Sequence, residues 1–214
     1  QDAVDRAARA LTALGVEKGD RVGIWSPNCA EWTITQFATA KLGAILVNIN
    51  PSYRTHELEY ALRQSGTSTL ILQGAFKGSD YVATLAELVP ELEDAGSASS
   101  LHSQRLPELA RVICLDDERA LPGMWRWSAM LQRADEVSVE RLAEIQASLD
   151  FDEPINIQYT SGTTGAPKGA TLSHHNILNN GFFVARTMKL DETDRMVIPV
   201  PLYHCFGMVM GNLG

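Results

Sequence analysis

Cysteine is scarce. Cys29, Cys114 and Cys205 are the only three in 214 residues, and they lie far apart. An odd, sparse set excludes a secreted disulfide framework and suits a reducing compartment, so a cytoplasmic location is expected. Surplus positive charge is missing too: 18 Lys and Arg stand against 26 Asp and Glu, a formal net charge of −8. Phosphate-backbone binders carry a basic face, so nucleic acid is excluded as an expected partner, and anionic membrane surfaces fit poorly. Nor is there a long apolar run. The longest uncharged stretch, 196–214, is broken by Pro199, Pro201, His204 and Asn212, which argues against a transmembrane segment. Gln1-Asp2-Ala3-Val4-Asp5 lacks the basic start and apolar core of a signal peptide. The chain has no fixed-period repeat and no low-complexity tract. It begins inside an amphipathic pattern and stops just after an apolar run, as a piece of a longer protein would.

What is present is ordinary globular material, 45% hydrophobic and 21% charged. Val4, Ala7, Ala8, Leu11 and Leu14 recur at helical spacing before Gly15. Short apolar strands are expected at 22–25, 44–47, 69–72 and 111–115. Helical stripes fall between the first three, around 30–42 and 54–64, and Asn28 stands where a helix cap belongs. A further helix is expected over 79–88, a surface loop over 91–104, and a polar helix or linker over 138–149. Strands alternating with helices through short connections predict an α/β fold, a layered and mostly parallel sheet with helices on both faces. Residues 1–150 are assigned to this portion. Residues 151–214 are assigned to a separate β-hairpin and the start of a second α/β portion.

Chemistry concentrates in 154–174. Ile155, Ile157 and Tyr159 alternate with Asn156 and Gln158, the pattern of a half-buried strand. Thr160, Ser161, Gly162, Thr163, Thr164 and Gly165 follow, then Pro167, Lys168 and Gly169, and Thr171-Leu172 reads as a returning strand. Glycines let the backbone approach a ligand, hydroxyls add donors, and Lys168 adds a compact positive charge. Together they suit a polyphosphate. The spacing is not that of a P-loop, since Lys168 is followed by Gly169 and the loop joins two strands rather than opening a helix. The plain alternative is a hairpin turn, which needs neither a lysine nor clustered hydroxyls.

Residues 159–169 resemble the signature loop of the adenylate-forming (AMP-binding) superfamily. Two further stretches agree. Pro201-Leu202-Tyr203-His204-Cys205-Phe206-Gly207 resembles its Pro-Leu-aromatic-His-x-x-Gly element, and Gly43-Ala44 through Asn50-Pro51, with Glu57-Leu58, resembles an upstream one. The wording of 46–54 looks most like the fatty-acyl and medium-chain acyl-CoA synthetases. The resemblance spans nearly the whole chain, yet the family's later elements are missing: a magnesium-binding acid, a ribose-binding aspartate, the hinge and the C-terminal domain.

The resemblance implies an ATP-dependent ligase using magnesium and CoA. A fatty or other carboxylic acid attacks the α-phosphorus of ATP and releases pyrophosphate. The CoA thiol then takes the acyl group and AMP leaves. It places Thr160, Ser161, Gly162, Thr163, Thr164, Gly165 and Lys168 on the ATP phosphates, with Thr160 near magnesium. Lys168 and His204 become the catalytic candidates. His204, Phe206 and Gly207 fall at the acid end, where His204 is a positioning group more than a general base. Chemistry of this kind needs fixed donors that offset developing charge and no protein nucleophile, in keeping with the lack of a G-x-S-x-G element.

Blander readings remain beside these. His204 also reads as a core histidine bonded to a carbonyl, and Phe206 as plain core. His174, His175, His204 and Cys205 do not have zinc-ligand spacing. Trp125 and Trp127 read as inward packing, Asp116-Asp117-Glu118 as a solvated turn, and Cys205 as a lining residue. Two other functions stay open: adenylation of an aryl or amino acid, and a non-catalytic nucleotide-binding module. The 214-residue piece alone is expected to be inactive.

Overall fold

The computed structural model describes residues 1–96, 98, 101–160 and 167–214. The expected apolar runs form β1 (Arg21–Trp25), β2 (Ile45–Asn48) and β3 (Thr69–Leu72). A two-residue hairpin, β4 (Ala75–Phe76) with β5 (Ser79–Asp80), precedes β6 (Arg111–Cys114) and β7 (Trp125–Arg126). β8 (Pro154–Thr160) and β9 (Lys168–Ser173) complete the strands. The seven-stranded sheet runs β7-β6-β3-β1-β2-β8-β9. Every neighbouring pair is parallel except β8 with β9.

The strands are continuous apolar runs because helices cover both faces. Alternate residues point to opposite sides. On one side, Val22, Ile71 and Ile113 pack with α1 (Asp2–Ala13), α2 (Ala30–Leu42) and Met130 in α6 (Trp127–Gln132). On the other, Val47, Leu70 and Val112 pack with α3 (Thr55–Ser65) and α4 (Tyr81–Leu88). Each fully buried aliphatic side chain contributes about 1.5–3 kcal/mol. A third cluster joins Ile24, Leu46 and Trp32 to Leu202, Met208 and Val209. Gly43 ends α2 with φ of 70°, and an added Cβ would stand 2.6 Å from Leu149, so only glycine serves there.

Several expectations need correcting. The hairpin is not separate: β8 pairs in parallel with β2, extending the main sheet. The helix expected from 79 starts at Tyr81, because Ser79–Asp80 pairs with β4 and the Asp80 carboxylate accepts from Ala83 N at 2.9 Å. The expected surface loop over 91–104 contains α5 (Glu91–Asp94) and buries Leu92 and Leu101. Of the two readings of 138–149, the helix holds: α7 (Val139–Ala147) is capped by Ser138. His174 and His175 open α8 (His174–Met188), which no helical stripe in the sequence reading anticipated and which Ser173 and Asn176 cap reciprocally. No helix among the described residues is long and apolar enough to cross a membrane.

Candidate functional site

A cleft of about 510 Å³ opens beyond the carboxyl ends of β2 and β8, the edge where open α/β sheets receive ligands. Asn48, Asn50 and Tyr53 form one wall, following the end of β2. Gln158, Tyr159, Thr160 and Pro167 form the second, and Tyr203, His204 and Cys205 the third. Although the chain is acidic as a whole, none of these lining residues is a carboxylate.

One end of the cleft is the mouth of the β8–β9 hairpin. Thr160 and Lys168 are register partners, and Thr160 Oγ1 donates to the Lys168 carbonyl at 3.4 Å. Lys168 is exposed beside Pro167. Ser161, Gly162, Thr163, Thr164 and Gly165 lie outside the described residues. Both flanks of the hairpin mouth are pinned to α3. Tyr60 Oη donates to the Pro167 carbonyl at 3.1 Å, and Tyr159 Oη to the Ala61 carbonyl at 2.9 Å. Burial pushes the Tyr159 phenol up to about 12, so it remains a protonated donor. Lys168 begins a strand, which disposes of a P-loop helix there.

The other end is the 200–207 segment. Asn28 is not the cap of α2, which starts after Cys29. Its Nδ2 instead donates to the Val200 carbonyl at 2.9 Å, and its Oδ1 accepts from Leu202 N at 2.8 Å. His204 is exposed, with its ring centroid 4.0 Å from that of Tyr203. Burial raises the Tyr53 and Tyr203 phenols and the Cys205 thiol, so all three stay protonated at neutral pH. Phe206 is 58% exposed and does not line this cleft. Gly207 is buried against the preceding turn, where an added Cβ would stand 2.5 Å from the Pro201 carbonyl oxygen. The histidine-x-x-glycine spacing therefore closes a compact turn.

Sequence reasoning passed over the floor of the cleft. Register places Asn48 beside Gln158 and Leu46 beside Asn156. Asn48 and Asn156 are 1% exposed and Gln158 6%, so the polar side of β8 is the more deeply buried one. The available signal was an amide ending an otherwise apolar strand, matched by two amides on another.

Thr160 could offer magnesium one hydroxyl. Among the described residues no three His, Cys, Asp or Glu gather into a metal site. Such an ion fits here only if phosphate oxygens, water or other groups supply its remaining ligands. A carboxylate-free cleft with Thr160 and Lys168 at its mouth fits a polyphosphate better than a free cation.

A family model described as AMP-binding enzyme matches residues 1–214. The mitochondrial medium-chain acyl-CoA ligase ACSF2 of Danio rerio is 45% identical over 212 residues, covering 98% of this chain and 34% of that protein. The N-terminal domain of FACL13 from Mycobacterium tuberculosis, solved with an inhibitor, superposes with a TM-score of 0.69 at 26% identity, covering 99% of this chain and 46% of that one. The anthranilate CoA ligase AuaEII, solved with anthranoyl-AMP, gives 0.74 at 24% identity over 97% of this chain and 35% of its own, a likeness of fold alone. The chain spans 34% to 38% of the length of the curated relatives it matches.

Proposed function

Because the chain belongs to the AMP-binding enzyme family, we propose that the protein containing it activates a carboxylic acid with ATP and passes the acyl group to CoA. The acid's oxygen bonds to the α-phosphorus, and the bond to pyrophosphate breaks. The CoA sulfur then bonds to the acyl carbon, and AMP leaves. The observation that carries this reading is the carboxylate-free cleft, lined at one end by Thr160, the register partner of Lys168, and at the other by Tyr203–His204. Both substrates of the first step are anions, and nearby carboxylates would oppose their approach.

In this reading Lys168, Thr160 and the 161–165 loop hold phosphate, with Thr160 beside magnesium. His204 faces the acid, and the exposed Phe206 lies on the acyl side. A medium-chain fatty acid is the proposed substrate, supported by the names of the relatives near 45% identity. Residues 1–150 supply the scaffold and one wall of the cleft, through Asn48, Asn50 and Tyr53, and 151–214 supply the other two. Completion of the ribose and magnesium contacts falls to the remainder of the longer protein, so the 214 residues alone should bind ATP weakly and make no acyl-CoA.

The test is pyrophosphate exchange by the full-length protein across a panel of fatty, aryl and amino acids. Exchange with medium-chain acids, followed by acyl-CoA formation, is expected. Preference for aryl or amino acids would replace the substrate, and no exchange with any acid would leave a nucleotide-binding module.

A further inference from the structure

We propose that Gln158 and Asn48 are positioning residues: a buried amide clamp that locks the His204 segment to the strand leading into the phosphate loop. The inference rests on the adenylating reading above.

The clamp is laid out in the strand register. Asn48 ends β2, Gln158 lies opposite it on β8, and Thr160 follows two residues later. Gln158 Nε2 donates to the Tyr203 carbonyl at 2.5 Å. Gln158 Oε1 accepts from Asn48 Nδ2 at 3.0 Å, and that nitrogen also lies 3.2 Å from the Tyr203 carbonyl. Asn156 Nδ2 donates to Asn48 Oδ1 and to the Leu46 carbonyl, each at 3.0 Å, which fixes the Asn48 amide plane. A glutamine at 158 reaches across the cleft floor to the carbonyl of the residue just before His204.

The segment is held from its other side as well. Asn28 bonds Val200 and Leu202, while the amides of Gly207 and Met208 donate to the His204 carbonyl at 2.9 and 3.1 Å. The backbone before and after His204 is therefore held on both sides, and its ring stays exposed beside that of Tyr203.

Mere filling of the core does not account for this arrangement. Elsewhere the interior of the sheet is dominated by aliphatic side chains. Buried amides cost more than aliphatics, the more so where an atom lacks a partner among the described residues, as Asn156 Oδ1 does, and what they add is direction. Here the direction leads to one carbonyl. Displacement of that carbonyl would shift His204 against Thr160, and misplacement of a reacting group by about 1 Å can cost roughly a hundredfold in rate.

The experiment uses the full-length protein carrying Gln158→Met, which keeps side-chain length and removes the donor, alone and with His204→Ala. Pyrophosphate exchange is measured against acid and against ATP. Hydrogen exchange is followed in peptides covering 200–208 and 21–25. The clamp predicts that kcat/KM for the acid falls roughly ten- to a hundredfold, with little change in KM for ATP. With His204 already removed, the second substitution should add less than about twofold, because coupled residues are not additive. Amides of 200–208 should exchange faster and those of 21–25 should not. A KM for ATP that rises as much as that for the acid, full additivity with His204→Ala, or unchanged exchange in 200–208 would overturn the clamp. If the unsubstituted protein activates no acid, the functional reading fails, and the hydrogen exchange still decides the clamp by itself.

Discussion

Two seams of the same sheet are made of different material. Where β3 meets β1, Ile24, Leu70 and Ile71 are fully buried aliphatics. Where β2 meets β8, Asn48, Asn156 and Gln158 are buried almost as completely. Apolar contact is non-directional, so the first seam needs only volume and the right period. An amide must meet a particular donor or acceptor, so the second seam specifies where one loop stands relative to another. The dry seam makes the sheet; the amide seam aims what the sheet carries.

The largest effect should come from breaking the dry seam. Leu70→Ala removes a fully buried side chain at the centre of β3 and should cost about 2–5 kcal/mol. Chemical denaturation of the full-length protein measures that loss, and per-molecule activity of the folded fraction should be preserved. Loss of catalysis with stability unchanged would reverse the division between the seams.

Lys168→Ala should behave in the opposite way. The side chain is exposed at the hairpin mouth, so stability should change by less than about 0.5 kcal/mol. Removal of a charge-assisted phosphate contact, worth about 1.5–3 kcal/mol, should lower adenylation roughly ten- to a hundredfold. Unchanged single-turnover adenylation would remove Lys168 from the site.

The smallest effect concerns His174, at the start of α8. Its Nε2 is buried without a partner among the described residues, and burial holds its pKa below the ordinary value, partly offset by Glu153. The unfolded chain therefore takes up this proton more readily than the fold does. The stabilising contribution is present above about pH 6.5 and is lost as pH falls through that value toward the lower folded pKa. His174→Gln should flatten this acid limb, read as the difference in melting temperature between about pH 7.5 and pH 5.5. An unaltered acid limb would show that other groups set it.

The sheet was legible because its strands are apolar runs of the right length between helical stripes, the pattern of a parallel sheet covered on both faces. The β8–β9 hairpin was legible as two strands, since Pro167 and Gly169 disfavour a helix. Its place in the main sheet was not legible. Alternation on β8 suggests one wet face, and only the pairing of Gln158 with Asn48 shows that both faces are covered. Asn28 was misassigned for a related reason: a polar residue before a helix reads as a local cap, and its actual partners are 172 and 174 residues away. Gly207 reads as part of a site motif, while its surroundings show a turn closed on Pro201.

The clamp also has a history within each newly made chain. Asn48 and Gln158 are separated by 110 residues, which at roughly 5–20 residues per second is about 5–20 s of synthesis. Through that interval β1, β3 and their helices can assemble from neighbouring βαβ units, while β2 waits with an open edge. Such an edge invites pairing with other chains. Asn48 meets its amide partners Gln158 and Asn156 only when β8 arrives, so the pairing that covers this edge and the one that fixes the Asn48 amide form in the same late step.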